Sequence, residues 1–182
     1  RQRQMCIRDS SNVTPISQML AEEKIRHRIC SPSSLAMAVS KIKGLTDIEA
    51  NTVWKKLITL CYDLNINAYG SWPKAIYAAS TFGVLGGIEA HADLESAEKC
   101  LELGQPVVCS IDYAKGKLRG APLASTKGHL VTLIGIEDEQ ILVMDPAAPE
   151  KSSIAREYDR KEFEDAWLRN RGAGYYFCVT SE

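Results

Sequence analysis

The sequence predicts an α+β fold, with a helical N-terminal half packed on a mainly antiparallel sheet. Helical patterns dominate before residue 104 and strand patterns after residue 105. A run of helices followed by a run of strands is typical of that class. The chain has 182 residues, of which 45% are hydrophobic and 25% charged, and this is enough for one compact core.

Each predicted helix has its own start or stop signal. Gly44 follows the first helix, and Gly83 and Gly104 follow the third and fourth, because glycine readily adopts the backbone conformation that ends a helix. Thr46 and Glu49 have the spacing of a capping box at the start of the second helix. The predicted helices lie at residues 30–43, 46–62, 72–82 and 93–103.

Strands are predicted from short apolar runs bounded by turn residues. A turn at Gly86 and Gly87 precedes a short strand candidate, and a polar loop over residues 115–127 separates two longer ones. Asp159 is expected to cap a short helix that runs to about residue 168. The predicted strands lie at residues 88–91, 106–111, 129–136, 140–144 and 175–179.

Charge, hydropathy and cysteine spacing exclude several classes of function. The net charge of -1 gives no reason to expect a nucleic-acid partner. No apolar run approaches the roughly 18 residues that a membrane span requires. The six cysteines form no CxxC pair, so neither a zinc site nor a thioredoxin-like site is expected, and their wide spacing argues against a disulfide scaffold. No cofactor is predicted. Cys61, Cys109 and Cys178 have apolar or aromatic neighbours and are expected to be core thiols.

The first ten residues differ from the rest of the chain. The string QMCIRDS at residues 4–10 resembles the translation of a transposase adapter used in sequencing libraries. We therefore predict a non-native tail over residues 1–10, a native domain over residues 11–182 and a metagenomic source; the alternative is an ordinary basic tail. A native signal peptide would then have been lost, so an extracytoplasmic or secreted location stays open.

Cys30 is the candidate nucleophile because it lies at the start of the first predicted helix. Ser31 can cap that helix and Pro32 suits its first turn. The partial positive charge of a helix N-terminus favours thiolate over thiol. A thiol that attacks an amide carbonyl also needs a base, a group that orients the base, and donors for the developing oxyanion.

His129 is the candidate base among the three histidines. His27 lies between two arginines and His91 between two alanines, so surface or structural roles are favoured for both. His129 starts an apolar strand that a short turn joins to the strand ending at Asp145. Hairpin geometry then predicts that His129 and Asp145 lie nearly opposite each other, with Cβ atoms about 5 Å apart. A carboxylate at that distance can hold the imidazole.

Several segments resemble bacterial papain-like cysteine peptidases related to the bacteriocin-processing, double-glycine peptidases. The resemblance runs from about residue 13 to residue 179, and its cysteine, Gly-His and Asp-Pro blocks come in the order of that family. The segments are PISQM (15–19), CSPSS (30–34), GSWP (70–73), PVVCSI (106–111), GHLV (128–131), DPA (145–147) and REYDR (156–160).

The resemblance implies a papain-like fold and a role for each of four residues. Cys30 would be the nucleophile, His129 the base and Asp145 the group that orients the base. Gln18 would donate a hydrogen bond to the oxyanion. The charged segment between Gln18 and Cys30 departs from the small and glycine residues expected there.

The resemblance also implies a substrate cleft between the helical half and the sheet half. Trp72 and Trp167, together with the loop over residues 115–127, are candidates to line that cleft and bind substrate. For each tryptophan, packing in the core remains the alternative.

The sequence supports three functions. The first is a thiol hydrolase that cleaves a peptide or related amide bond through a Cys acyl-enzyme, with a peptide or peptide-like substrate. The second keeps the same Cys-His-Asp triad but hydrolyses cell-wall peptide or transfers an acyl group. The third is a non-catalytic papain-like binding or maturation module. The oligomeric state is left open.

Overall fold

The structure, a computed structural model, describes residues 7–8 and 13–178. Its helices and strands follow the predicted order of helices first and strands later, which confirms the α+β class. The helices are α1 (Cys30–Lys43), α2 (Asp47–Cys61), α3 (Trp72–Ser80), α4 (Leu94–Glu102) and α5 (Arg160–Glu164). The strands are β1 (Ile7–Arg8), β2 (Leu85–Glu89), β3 (Val107–Tyr113), β4 (Thr126–Ile136), β5 (Gln140–Met144), β6 (Ala155–Asp159) and β7 (Ala173–Cys178).

The strands form one antiparallel sheet with helices on both faces. The strand order is β2-β7-β3-β4-β5-β6, and β1 pairs with the end of β4. Helices α1, α2 and α3 cover one face of the sheet, and α4 and α5 cover the other. Because side chains alternate along a strand, Val108 packs in the first core and Val107 in the second.

Small polar side chains attach α1 to the sheet. The Ser34 hydroxyl donates to the Leu130 carbonyl over 2.7 Å, and the Thr132 hydroxyl donates to the Ser34 carbonyl over 2.9 Å. On the other side of α1, the Trp54 indole donates to the Ser33 hydroxyl over 2.9 Å. Serine is small enough to let α1 approach β4 closely, and each buried hydroxyl is satisfied. The N-terminus of α1 is therefore held beside β4.

The predicted ends of the first helices are confirmed. Gly44 has a φ of 62°, a left-handed conformation that an L side chain rarely adopts, and its N–H closes the last turn of α1. At the start of α2, the Glu49 N–H donates to the Thr46 hydroxyl, and the Glu49 carboxylate accepts from the Thr46 N–H over 2.9 Å. Both halves of the capping box are thus present.

Three sequence predictions need correction. Gly86 and Gly87 lie inside β2 rather than in a turn. Glycine is needed at position 86 because a Cβ there would lie 2.5 Å from the Tyr176 carbonyl oxygen of the neighbouring strand β7. Strand β4 begins at Thr126, three residues before the predicted start. Cys178 is exposed at the end of β7, whereas Cys61 and Cys109 are buried as predicted.

Strand β6 was not predicted at all. Its sequence, AREYD, is mostly charged, and only its tyrosine is fully buried. It lies at the edge of the sheet, where one side of the strand has no strand neighbour among the described residues and apolar alternation is weak. Pairing with β5 places it in the sheet, from Gln140 opposite Asp159 to Met144 opposite Ala155.

Most of the predicted non-native tail lies outside the described residues. Within it, Ile7 pairs with Ile136 and Arg8 with Gly135. The origin of this segment, and the domain boundary near residue 11, stay predictions. In the part of the chain that the structure describes, no helix is both long and apolar enough to cross a membrane.

Candidate active site

The Cys30 side chain lies at the first residue of α1, half-buried beside β4. The His129 side chain and the backbone N–H groups of Ser31 and Leu130 interact with its thiol and lower the pKa of that thiol. The predicted position at a helix N-terminus is confirmed. The thiol therefore has an imidazole on one side and backbone donors on another, and both stabilise its anionic form.

His129 is held between Cys30 and Asp145. Its Nε2 atom lies 2.8 Å from Asp145 Oδ1, and both side chains are almost completely buried. Because Nε2 is engaged with the carboxylate, Nδ1 is the ring nitrogen that faces Cys30. The three residues form one line of side-chain contacts that begins at the sulfur and ends at the carboxylate.

The contact between His129 and Asp145 is diagonal rather than directly across the hairpin. Strands β4 and β5 pair Thr132 with Met144 and Leu133 with Val143. Continuing that register puts Asp145 opposite residue 131, two positions along β4 from His129. Diagonal neighbours on an antiparallel pair remain within reach of long side chains, so the predicted contact forms although the predicted register is offset by two residues.

Three donors surround the Asp145 carboxylate. Oδ1 accepts from the Ala147 N–H over 2.9 Å as well as from His129, and Oδ2 accepts from the Tyr158 hydroxyl over 2.9 Å. Tyr158 comes from β6, the strand that was not predicted, and sequence reasoning assigned it no role. The only signal for it was its place in the closing REYDR segment of the resemblance.

The interactions among Cys30, His129 and Asp145 shift the pKa of all three side chains. Burial opposes ionisation of Asp145, but His129, the Ala147 N–H and the Tyr158 hydroxyl outweigh it and lower the pKa of the carboxyl. Burial would likewise lower the pKa of His129, yet Asp145 and Cys30 raise it to about 10. Burial would raise the pKa of Cys30, but His129 and the backbone donors lower it. All three shifts favour a thiolate beside an imidazolium.

Gln18 lies in a short helical turn (Gln18–Leu20), and its side chain is buried. Its amide nitrogen donates to the Arg26 carbonyl over 2.6 Å, and its own backbone N–H donates to the Pro146 carbonyl over 2.9 Å. A primary amide nitrogen carries two hydrogens, so the bond to Arg26 uses one and orients the other. The charged segment between Gln18 and Cys30 therefore fixes the Gln18 side-chain amide through the backbone carbonyl of Arg26.

A groove of about 280 Å³ opens beside Cys30. Trp72 lines it, whereas Trp167 and the loop over residues 115–127 are not among its lining residues. Trp167 is fully buried in the core on the other face of the sheet, where its indole donates to the Ala173 carbonyl over 2.9 Å. The structure thus places one predicted tryptophan at the groove and gives the other a packing role.

Metal-binding clusters are not found in the described ranges 7–8 and 13–178. Within them, no group of three or more His, Cys, Asp and Glu side chains could hold a metal ion. The side chains grouped at Cys30 are a thiol, an imidazole and a carboxylate, which are the chemical groups that acyl transfer to and from sulfur requires.

Comparison with known proteins identifies a family and a fold. Residues 10–175 match the Peptidase_C39 like family. A Bacillus anthracis protein described as a C39-like peptidase superposes with a TM-score of 0.68 and 19% identity, covering 98% of this chain and 100% of that one. The comparison with curated proteins gives no match.

Two further solved structures share the architecture. A double glycine motif protease from an AMS/PCAT transporter, in complex with the leader peptide, has a TM-score of 0.58 and 16% identity, covering 94% of this chain and 96% of that one. The peptidase domain of Streptococcus ComA, a bi-functional ABC transporter, has a TM-score of 0.57 and 16% identity, covering 93% and 98%. These matches establish the papain-like fold of C39 peptidases.

Proposed function

The chain belongs to the Peptidase_C39 like family and is a cysteine peptidase-like hydrolase, and from that premise we propose that it cleaves a peptide or related amide bond through an acyl-enzyme on Cys30. One observation carries the proposal: the unbroken line of contacts from Cys30 through His129 to Asp145. The leader peptide bound to a protein of the same fold supports a peptide as the class of substrate.

The first step is attack by the Cys30 thiolate on the carbonyl carbon. A C–S bond forms, and the π electrons of the carbonyl move to its oxygen. The imidazolium of His129 lies beside the sulfur and holds the proton that the leaving nitrogen will need. Asp145 keeps this imidazolium charged and oriented, since its carboxylate contacts Nε2 and leaves Nδ1 toward the reacting atoms.

We assign two donors to the oxyanion. The Cys30 backbone N–H lies at the first residue of α1, where helix N–H groups have no partner within the helix. The second hydrogen of the Gln18 amide is the other donor, oriented by the bond to the Arg26 carbonyl. Donors fixed before the reaction stabilise the developing charge without reorganisation.

The intermediate then collapses and the thioester is hydrolysed. His129 gives its proton to the leaving nitrogen as the C–N bond breaks, which leaves an acyl group on Cys30 and a neutral imidazole. The imidazole takes a proton from water as the water oxygen attacks the thioester carbon. The C–S bond breaks, the acid is released, and the thiolate and imidazolium are restored.

The test compares Cys30→Ser with Cys178→Ser in peptide hydrolysis. The Cys30 variant should lose all activity toward any peptide that the wild type cleaves, whereas the control removes an exposed thiol outside the groove and should keep it. Acid quenching during turnover, followed by intact-mass measurement, should show an acyl adduct that maps to Cys30.

The opposite outcome would favour the non-catalytic alternative. A wild type that binds peptides but cleaves none, and that shows no acyl adduct, would act as a binding or maturation module of the same fold. Transfer of the trapped acyl group to an added amine in preference to water would instead favour the acyl-transferase alternative.

A further inference from the structure

The groove beside Cys30 is lined by positive charge without matching negative charge. Arg28 and Arg171 both line it, and its described lining residues include no aspartate or glutamate. The remaining lining side chains are mostly small or neutral, which leaves the two guanidinium groups as the main charges that a bound peptide would meet. The other lining residues are His27, Cys30, Ala68, Tyr69, Gly70, Trp72, Ser110, Gly128 and Leu130.

Arg171 is held across the strand that carries the candidate base. Its Nε donates to the Ser110 hydroxyl over 3.3 Å. A Cβ built on Gly128 would lie 3.1 Å from one terminal nitrogen of Arg171, so the absence of a side chain there gives the guanidinium its place over β4. Gly128 immediately precedes His129. The guanidinium therefore shares the groove with Cys30.

Arg171 keeps its terminal nitrogens available for a ligand. Among the described residues, no carboxylate forms an ion pair with it, and only Nε is used in a side-chain hydrogen bond. Two parallel N–H groups on a fixed guanidinium match the two oxygens of a carboxylate.

Arg28 lines the same groove, but its guanidinium is engaged in contacts within the protein. Its guanidinium packs over the Tyr69 ring, 5.6 Å from the ring centroid, and donates to the carbonyl and side-chain oxygens of Asn67. Its donors are thus largely used within the protein. Arg28 adds positive potential to the groove, but Arg171 is the group free to contact a substrate directly.

The geometry points to Arg171 as a specificity-determining residue that binds a carboxylate of the peptide beside the scissile bond. This inference rests on the proposed function, because it assigns the substrate preference of the same groove. The carboxylate can belong to an aspartate or glutamate side chain or to the C-terminus of the peptide. Both present the same pair of oxygens to the guanidinium.

The first test needs no turnover. Cys30 is alkylated with iodoacetate, which carries a carboxylate, and with iodoacetamide, which is neutral, and both rates are measured at Cys30 by mass spectrometry. Arg171→Gln should lower the ratio of the two rates by roughly fivefold, the upper range for an exposed charge pair. His129 attracts iodoacetate in both proteins, so the change between them reports Arg171.

The matched control is Arg169→Gln. Arg169 is exposed two residues away and pairs with Asp165 over 3.0 Å outside the groove, so its replacement changes the net charge equally. The alkylation ratio should stay at the wild-type value in this variant. Equal ratios in wild type and Arg171→Gln, or an equal drop in both variants, would overturn the inference.

The second test uses matched peptides. Peptides with glutamate or glutamine at each position around the scissile bond, each with a free or an amidated C-terminus, separate the two carboxylate sources. Wild type should favour one carboxylate-bearing peptide by roughly fivefold in kcat/KM, and Arg171→Gln should remove that preference. Arg171→Glu should instead favour a peptide that carries lysine at the preferred position.

The outcomes separate this inference from the proposed function. Cys30-dependent cleavage with no preference for any carboxylate would overturn the inference and leave the peptidase function intact. If no peptide is cleaved, the proposed function fails, and the alkylation ratio still decides whether Arg171 binds a carboxylate.

Discussion

Two thiols, Cys30 and Cys109, differ sharply although both are packed within the protein. Cys109 lies in the middle of β3, fully buried, and its only hydrogen-bond partner among the described residues is the Val107 carbonyl, 3.8 Å from its sulfur. Burial raises the pKa of this thiol well above its ordinary value. Burial acts in the same direction on Cys30, yet the pKa of Cys30 is lowered.

The difference shows that direct partners decide the reactivity of a thiol, and burial alone does not. Cys30 has an imidazole and two backbone N–H groups at its sulfur. Cys61 provides an intermediate case, since the charge of Lys74 opposes burial there but leaves the pKa at about 12. A charge that forms no hydrogen bond with the sulfur is therefore too weak, and direct partners are required to stabilise the thiolate.

The largest expected effect is on alkylation of the thiols themselves. Cys30 should react with iodoacetamide at pH 7 much faster than Cys109, because the pKa of Cys30 is lowered and its thiol borders the groove, whereas burial raises the pKa of Cys109 and shields its sulfur. Site-resolved mass spectrometry at short reaction times measures both rates in one sample. Similar alkylation rates at Cys30 and Cys109 would contradict the opposite pKa shifts of the two thiols.

Replacing His129 by alanine should make Cys30 behave more like Cys109. The thiolate loses its imidazolium partner, so the pKa of Cys30 rises and alkylation at pH 6 should slow on the order of thirtyfold. The deficit should close as the pH rises past the new pKa. The pH dependence of Cys30 alkylation from about pH 5 to 10 measures this, with the exposed His91→Ala as control. Superimposable profiles for wild type and His129→Ala would be incompatible with the ion pair.

Replacing Asp145 by asparagine tests the carboxylate that contacts His129. The carboxylate raises the pKa of His129 to about 10, so the imidazolium should persist to that pH in the wild type. In Asp145→Asn the imidazolium should be lost at lower pH, and kcat/KM at pH 9 should fall about tenfold, the loss expected when the pKa of His129 drops by about two units. The upper limb of the pH–rate profile is the measurement.

A control for this variant is Asp138→Asn, which removes an exposed carboxylate in the β4–β5 turn. Its pH profile should match that of the wild type. Thermal unfolding of both variants checks that Asp145→Asn remains folded. An unchanged upper limb in the folded Asp145→Asn protein would exclude the orienting role.

The smallest expected effect concerns Tyr158. Tyr158→Phe removes one of three donors to Asp145 and should lower kcat/KM about two- to threefold, the low end of the range for one net hydrogen bond, because the other two donors remain. Tyr113→Phe is the matched control, because that buried hydroxyl donates to the Leu123 carbonyl instead. Steady-state kinetics at pH 7 on both variants make the comparison. Equal effects from the two substitutions would mean that Tyr158 contributes only to packing.

Local signals in the sequence account for the elements that carry Cys30. The turn-forming Gly44 and the pair Thr46 and Glu49 act within a few residues, so their effect can be predicted without the rest of the fold. The contact between His129 and Asp145 was also predictable, because a short hairpin joins them. Its register was not, since β4 and β5 contain an irregularity between Leu133 and Gly135.

The sequence by itself determined the α+β order, the ends of α1, and the hairpin that joins His129 to Asp145, because each depends on neighbours along the chain. Only the tertiary structure decided which surroundings those residues have. The pairing of edge strand β6 with β5 brings the Tyr158 hydroxyl to the Asp145 carboxylate. The Arg26 carbonyl orients the Gln18 amide, and the Arg171 guanidinium lies over Gly128. The physical reason is that these contacts join segments that do not share a regular local element. Their geometry is set by packing and not by any local pattern of residues.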